Sequence, residues 1–274
     1  MKKLLSVLFL FSCATAITAQ PVVSTRGEKI LPEKGNWGVM FDAVPFIEYA
    51  GNVLNASGNN SATATFPNGY ENTLVLKHYK SDNRALRIKL RLGFTSDTKD
   101  SIVQFLGGTS PEPSVTDSRT VSKRHIVIGI GTQKSRTKGR VSGYFGKELI
   151  ISFSGGDTTY KYGGGPLTQY NWLHTNTFGQ ERGITEINEG NTLSIGFHLL
   201  FGAEYFFAPK MSLSAEYSWG LAYEKKAAGV SIRETWDFQG IGKIKTTTTK
   251  FTGSRSFIVD NANNVGSINL AFYF

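Results

Sequence analysis

Cysteine is nearly absent: Cys13 is the only one in 274 residues. It falls inside an N-terminal stretch with the composition of an export leader. The chain beyond that leader is therefore expected to have neither disulfides nor thiol chemistry. No apolar run reaches the roughly 18 residues a helix needs to cross a bilayer, which argues against a helical membrane protein. The four histidines are scattered, and no metal-ligand spacing, phosphate loop or nucleotide fingerprint occurs. Gly129-Ile-Gly131 and Gly163-Gly-Gly-Pro166 are too slight for one, since Gly is ordinary in such strands and loops. No cofactor or metal is expected.

At the N-terminus, Lys2 and Lys3 precede the apolar run Leu4 to Phe11, followed by small residues through Ala19. Residues 1–19 read as a secretory signal peptide cleaved after Ala19. The apolar run is about half the ~20 residues a membrane anchor requires. Leu10-Phe-Ser-Cys13 loosely resembles a lipoprotein cleavage box with an atypical Phe, so lipidation of Cys13 is the alternative. The formal charge is +9, from 30 basic and 21 acidic residues. Loss of Lys2 and Lys3 leaves +7, 28 basic against 21 acidic. A mildly basic exported chain does not call for nucleic acid, because contact with anionic lipopolysaccharide accounts for the sign equally.

What the sequence does hold is aromatics (12%), 30 glycines and a two-residue rhythm. Residues 20–34 are polar, with Pro21 and Pro32, and read as an N-terminal lead. Trp37, Val39, Phe41, Ala43, Pro45 and Ile47 then share one parity against Asn36, Met40, Asp42 and Glu48. Successive side chains of a strand face opposite ways, so this is strand one, its Pro tolerated near an end or bulge. Residues 52–72 are Gly/Asn/Ser-rich, hence a loop. Strands two (73–79) and three (84–94) flank Ser81-Asp-Asn83, with Leu74, Leu76, Leu86, Ile88, Leu90, Leu92 and Phe94 on one face. A loop is expected over 95–123. Strand four shows Ile126, Ile128 and Ile130 against Gly129 and Gly131, and a tight turn is expected at Ser135-Arg-Thr-Lys138. Strand five carries Val141, Phe145, Leu149 and Ile151, with Lys147 on the same face. The longest loop is expected over 155–190. Strand six runs through Leu193, Ile195, Phe197, Leu199, Phe201, Ala203, Tyr205 and Phe207. After Ala208-Pro-Lys210, strand seven shows Met211, Leu213, Ala215, Tyr217, Trp219 and Leu221. A fourth long loop, basic, Thr-rich and able to extend the strands, precedes strand eight: Ile268, Leu270, Phe272 and Phe274.

Eight strands of about ten residues, joined by alternating long and short connections, predict an all-β fold: an eight-stranded antiparallel transmembrane β-barrel over 35–274. Short turns would lie in the periplasm and long loops outside, with both termini periplasmic. Pairing across the turns sets Lys77 opposite Arg87 and Glu204 opposite Ser214, and in both hairpins the apolar sets meet on one face. The soluble alternative is a lipocalin-like barrel with its bulky apolar face inside. Against it, the chain stops on an apolar strand that would be an aggregation hazard in water. Leu270, Phe272 and Phe274 resemble the terminal signal by which bacterial outer-membrane barrels are recognised for insertion. Lys77-His-Tyr-Lys-Ser-Asp-Asn-Arg-Ala-Leu-Arg87 is similar to hairpins of small outer-membrane barrels of the Bacteroidota. Over its whole mature length the chain resembles the outer-membrane β-barrel domain proteins of that group, loosely called porin-like. The resemblance implies a bacterial outer-membrane location, with membrane lipid, lipopolysaccharide and the insertion machinery as partners. It implies little about substrate.

If the apolar parity faces lipid, the other parity lines the lumen: Asp42, Glu48, Lys77, Arg87, Lys89, Arg91, His125, Arg140, Glu148, His198, Glu204 and Glu216. An eight-stranded barrel is just wide enough for side chains to fill. Isolated buried ions cost several kcal/mol each, so these charges must pair. The expected picture is an Arg/Lys column from strands two and three neutralised by carboxylates from strands one, six and seven. It would act as a plug, or as a gate if the network rearranges. A catalytic reading takes His198, Ser218 and Glu216, or His125, as a lipid A-modifying site. The register sets His198 opposite Gly220 and Glu216 nearer Gly202, too far to orient the ring, and the residues face inward. No enzyme is expected. Tyr160, Tyr162, Tyr170 and Trp172 are loop aromatics that would stack on a glycan, meet a surface partner, or fold the loop onto the rim. Lys225, Lys226, Arg233, Lys243, Lys245, Lys250 and Arg255 would be solvated or meet lipopolysaccharide phosphates. The leading expectation is a non-enzymatic surface barrel with structural, adhesive or partner-binding roles; a narrow ion or small-solute channel and a lipid A-modifying enzyme follow.

Overall fold

A computed structural model describes residues 22–43, 73–104, 114–239, 244–260 and 267–274. The leader with Cys13, the expected loop over 52–72, Glu48 and Lys243 lie outside the described residues. The strands are β1 (Trp37–Asp42), β2 (Leu74–Ser81), β3 (Arg84–Gln104), β4 (Ser114–Lys138), β5 (Val141–Lys161), β6 (Ile184–Asn188), β7 (Thr192–Ala208), β8 (Met211–Lys226), β9 (Val230–Trp236), β10 (Ile244–Lys250), β11 (Ser254–Asp260) and β12 (Ser267–Tyr273). Among the described residues there is no helix.

All pairings are antiparallel. Eight strands close a ring in the order β1, β2, β3, β4, β5, β7, β8, β12 and back to β1. These are the eight strands expected from the apolar rhythm, strands six, seven and eight being β7, β8 and β12. Closure leaves the ring itself no free edge. Its register sets Lys77 opposite Arg87 and Glu204 opposite Ser214, the pairs read from the sequence. Large apolar side chains point outward and the opposite parity is buried.

Two expectations are corrected at the connections. Residues 95–104 and 114–123 are strand rather than loop: β3 and β4 stay paired from Thr95↔Lys123 to Gln104↔Ser114. Both faces there are polar, so no apolar alternation marked a strand, yet the stretch is rich in β-branched residues that suit one. The expected loop over 155–190 likewise begins as strand, with β5 running to Lys161 and β6 lying within it. The fourth long connection contains β9, β10 and β11. Together these extend the sheet beyond the ring, β6 on β5, β9 on β6 and β10 on β9, while β11 joins β8.

The turn between β4 and β5 is Gly139-Arg140, not 135–138. Gly139 has φ +60°, the left-handed first position that a two-residue II′ hairpin reserves for glycine. Arg140 therefore sits on the turn rather than inside. It is exposed, and its Nη1 donates to the Phe207 carbonyl at 3.0 Å.

The polar lead is itself folded onto the ring. Residues 22–36 fold back, with Ile30 N bonded to Val22 O, and dock on the ring's short-turn end. Lys210 N donates to Ile30 O, Gly35 N to Tyr79 O, and Lys34 N to Asp82 Oδ1. Ile30 is fully buried in an apolar layer with Met40, Val75, Tyr79, Phe206 and Tyr273. The short apolar run Ile30-Leu-Pro32 carries the docking, because one buried aliphatic side chain is worth about 1.5–3 kcal/mol.

Candidate functional site

Above that layer the ring interior holds ionised side chains. β2 and β3 supply Lys77, Arg87 and Lys89; β5, β7 and β8 supply Glu148, Glu204 and Glu216. Arg87 is the hub. Its Nε donates to Glu148 Oε1 at 2.7 Å and its Nη1 to Gln133 Oε1 at 2.9 Å. Nη2 reaches Glu216 Oε1, and Nη1 also lies 2.9 Å from Glu216 Oε2, so that carboxylate is gripped at both oxygens. Two-point pairing of this kind fixes orientation as well as adding energy. Tyr144 Oη donates to Glu216 Oε2 at 2.9 Å, and Lys89 Nζ lies 2.8 Å from Glu148 Oε2.

A second knot lies one layer nearer the docked lead. Lys77 Nζ sits 3.4 Å from Glu204 Oε2 and donates to Tyr273 Oη at 3.3 Å, with the Tyr144 ring 5.1 Å away. Glu204 Oε1 accepts from Ser212 Oγ and Tyr273 Oη. Three cations thus face three carboxylates, and the knots carry no net charge between them. Hydroxyls and an amide add hydrogen bonds to Lys77, Arg87, Glu204 and Glu216, the condition under which burial of charge is tolerated.

Of the interior residues read from the sequence, Lys77, Arg87, Lys89, Glu148, Glu204 and Glu216 come together here. Arg91 is buried farther toward the long-connection end. Asp42 is half-buried at the end of β1, in register with Asn269. The carboxylates of these two knots come from strands five, six and seven, Glu148 reaching Arg87 along the wall over Gly131 of β4. Arg140 is absent for the reason given above. His198 faces inward on β7 opposite Gly220, while Glu216 pairs with Gly202 and is held by Arg87 and Tyr144. No acid orients that histidine among the described contacts. Sequence reasoning missed Gln133, Tyr144, Ser212 and Tyr273 as partners. All four stand on the inward parity, which is the signal that would have found them.

Gly202 lies directly opposite Tyr144, and a Cβ there would overlap the Tyr144 ring. Gly202→Val should expel the ring from its bond to Glu216 and lower stability by about 1–3 kcal/mol. The urea midpoint measures this, and Gly202→Val with Tyr144→Ala should recover part of the loss.

The extension forms a separate cluster around the buried Asp117 on β4. Its carboxylate accepts from Gly163 N at 2.9 Å, from Thr175 Oγ1 at 2.8 Å and from Thr177 Oγ1. Tyr162 stacks on His174 at 4.3 Å between ring centroids and accepts from Gln180 Nε2 at 2.9 Å. Tyr160 packs on Tyr162 and Phe178. Two of the four loop aromatics therefore fold the connection onto itself. Tyr170 is 90% exposed. Trp172 is half-exposed beside Phe238 and tied to β9, its carbonyl accepting from Trp236 N at 2.9 Å.

Burial pushes the Tyr162 hydroxyl up to about 12. Burial likewise holds His174 below the ordinary histidine range, against the pull of Glu234 and Asp117. The folded extension therefore binds its His174 proton less readily than the unfolded chain does. Its stability is full above the unfolded-state value near 6.5 and falls as pH drops through that value toward the folded one. Amide exchange over 162–183, corrected for intrinsic rates, should be faster at pH 5.5 than at 7.5, and His174→Gln should remove the difference.

No protein-family model matches the chain, and comparison with curated proteins gives no match.

Proposed function

We propose that the ring is a transmembrane β-barrel of a bacterial outer membrane, non-enzymatic, with a side-chain-filled lumen and a long surface extension serving structural, adhesive or partner-binding roles. One observation carries this reading, the inversion of the ring. Phe145 (55% exposed), Phe201 (53%) and Ile128 (55%) cover its outside, while Lys77 and Arg87 (0%) and Glu204 (1%) are sealed inside. A ring in water would do the reverse, since large exposed apolar patches draw a protein into association. In lipid the arrangement is the stable one, with backbone groups paired around a closed sheet. The short turns and the docked lead would then be periplasmic and the extension extracellular. The outward row Leu270, Phe272 and Phe274, along β12 and just past it, fits recognition by the barrel-insertion machinery. The resemblance to the porin-like barrels of the Bacteroidota fits the same location.

Two features support a plug over a channel. The Arg87 and Glu204 knots occupy the lumen, and the Ile30 layer lies beneath them. The test uses the refolded chain in lipid vesicles. Ring strands should resist protease while the extension is cleaved, and the unboiled chain should run at a folded mobility on gels. A chain that stays monomeric and folded in detergent-free water would overturn the reading. Steady ion-selective openings in planar bilayers would replace the plug with the channel.

A further inference from the structure

From the register of the outer wall we infer a binding site for the phosphate of an anionic membrane lipid, formed by Lys225 of β8 and Arg255 of β11 on the basis of the transmembrane reading above. The two residues are direct partners across the β8–β11 ladder. Lys225 has the parity of Leu213, Tyr217, Trp219 and Tyr223, all exposed on the outward face. Arg255 has the parity of Phe257 and Val259, which are 66% and 59% exposed and pair with Tyr223 and Leu221. The two columns therefore read apolar, aromatic, cationic, moving away from the short turns.

Height places the cations at the lipid headgroups. Leu213 to Tyr223 is ten residues along β8, and at ~3.3 Å per residue and ~40° tilt they span ~25 Å, the height of the apolar band of a transmembrane barrel. Lys225 is the next outward residue. Its neighbour on β7 is Leu193, so the row runs from apolar wall into cationic wall at one level. Tyr223 and Phe257 stand where aromatic residues settle at a membrane interface.

Charge supplies the ligand. Like charges directly opposite in a ladder are unfavourable, and neither Lys225 nor Arg255 has a side-chain ion pair among the described residues. Lys226, exposed, adds a third cation at the end of the same ladder, opposite Ser254. A phosphate lying between Lys225 and Arg255 turns the repulsion into two charge-assisted contacts, and its acyl chains run down the apolar column. The cations of β10, Lys245 and Lys250, lie on a different strand pair beyond the ring.

The test measures the preference of the refolded chain in phosphatidylcholine bilayers for spin-labelled phosphatidic acid over spin-labelled phosphatidylcholine. The wild type should prefer the phosphatidic acid. Lys225→Gln and Arg255→Gln should each weaken that preference by about fivefold at the site, and the double variant should abolish it. Lys245→Gln/Lys250→Gln should leave it intact. Folded gel mobility checks that each variant has folded. An inserted wild type with no preference, or a preference that survives the double variant, overturns the site and leaves the barrel reading standing. Loss of preference on adding excess inorganic phosphate at constant ionic strength makes it a free-anion site and overturns the lipid assignment. A chain that does not insert at all overturns both.

Discussion

Arg87→Ala should cost about 3–5 kcal/mol of stability, read as a fall in the urea midpoint of the lipid-inserted chain. Deletion of this one side chain leaves Glu216 without a cation, Glu148 with Lys89 alone, and Gln133 without a donor. The loss comes less from forfeited attraction than from a carboxylate left without a cation in a site sealed from water. Removing the charges together should be far milder. Arg87→Met combined with Glu216→Gln should recover most of the midpoint, since Glu148 keeps Lys89, Glu204 keeps Lys77 and no buried ion is left unpaired. A single variant as stable as wild type would show that water reaches the network, and the plug would then be open.

The second large effect is expected at the docked lead. Ile30→Asp places a carboxylate among Met40, Val75, Phe206 and Tyr273, where no cation stands in the apolar layer. Truncating a buried aliphatic costs about 2–5 kcal/mol, and an unpaired charge costs more, so the lead should leave the ring. The Lys210 and Ile30 amides, bonded at the docked junction, should then exchange as in an unfolded chain, while β2 and β3 stay protected. Planar-bilayer conductance of this variant should remain silent, because the Glu204 and Arg87 knots still fill the lumen. An opened pore on undocking would make the lead, rather than the charge network, the closure.

The ring was legible because one of its faces had to be apolar. From Leu193 to Phe207 and from Met211 to Leu221 every outward position is apolar or aromatic, and a period of two admits one register per hairpin. The extension hid because that constraint ends where the strands leave the ring. Residues 95–104 and 114–123 are largely polar on both faces, so their pairing left no apolar stripe, only β-branched composition. Arg140 was misplaced for a local reason: the polar run before it resembles a turn, but Gly139 is the residue that can take the left-handed corner. The charge network was half legible. Parity brought Lys77, Arg87, Lys89, Glu148, Glu204 and Glu216 to the inside, but which carboxylate meets which cation depends on reach across the ring. Gln133, Tyr144 and Tyr273 have no charge to draw notice. Ile30 needed tertiary context, since three apolar residues in a polar lead say nothing of where they dock.

The central claim is that the ring's apolar face meets lipid, and Trp219 tests it most directly. It stands outward on β8, 41% exposed, within the height assigned to the hydrocarbon. With Trp37, Trp172 and Trp236 replaced by Phe, its fluorescence should be strongly quenched by phosphatidylcholine brominated along the acyl chains and barely touched by aqueous iodide. Quenching by iodide, with none by the brominated chains, would place that face in water and contradict the account.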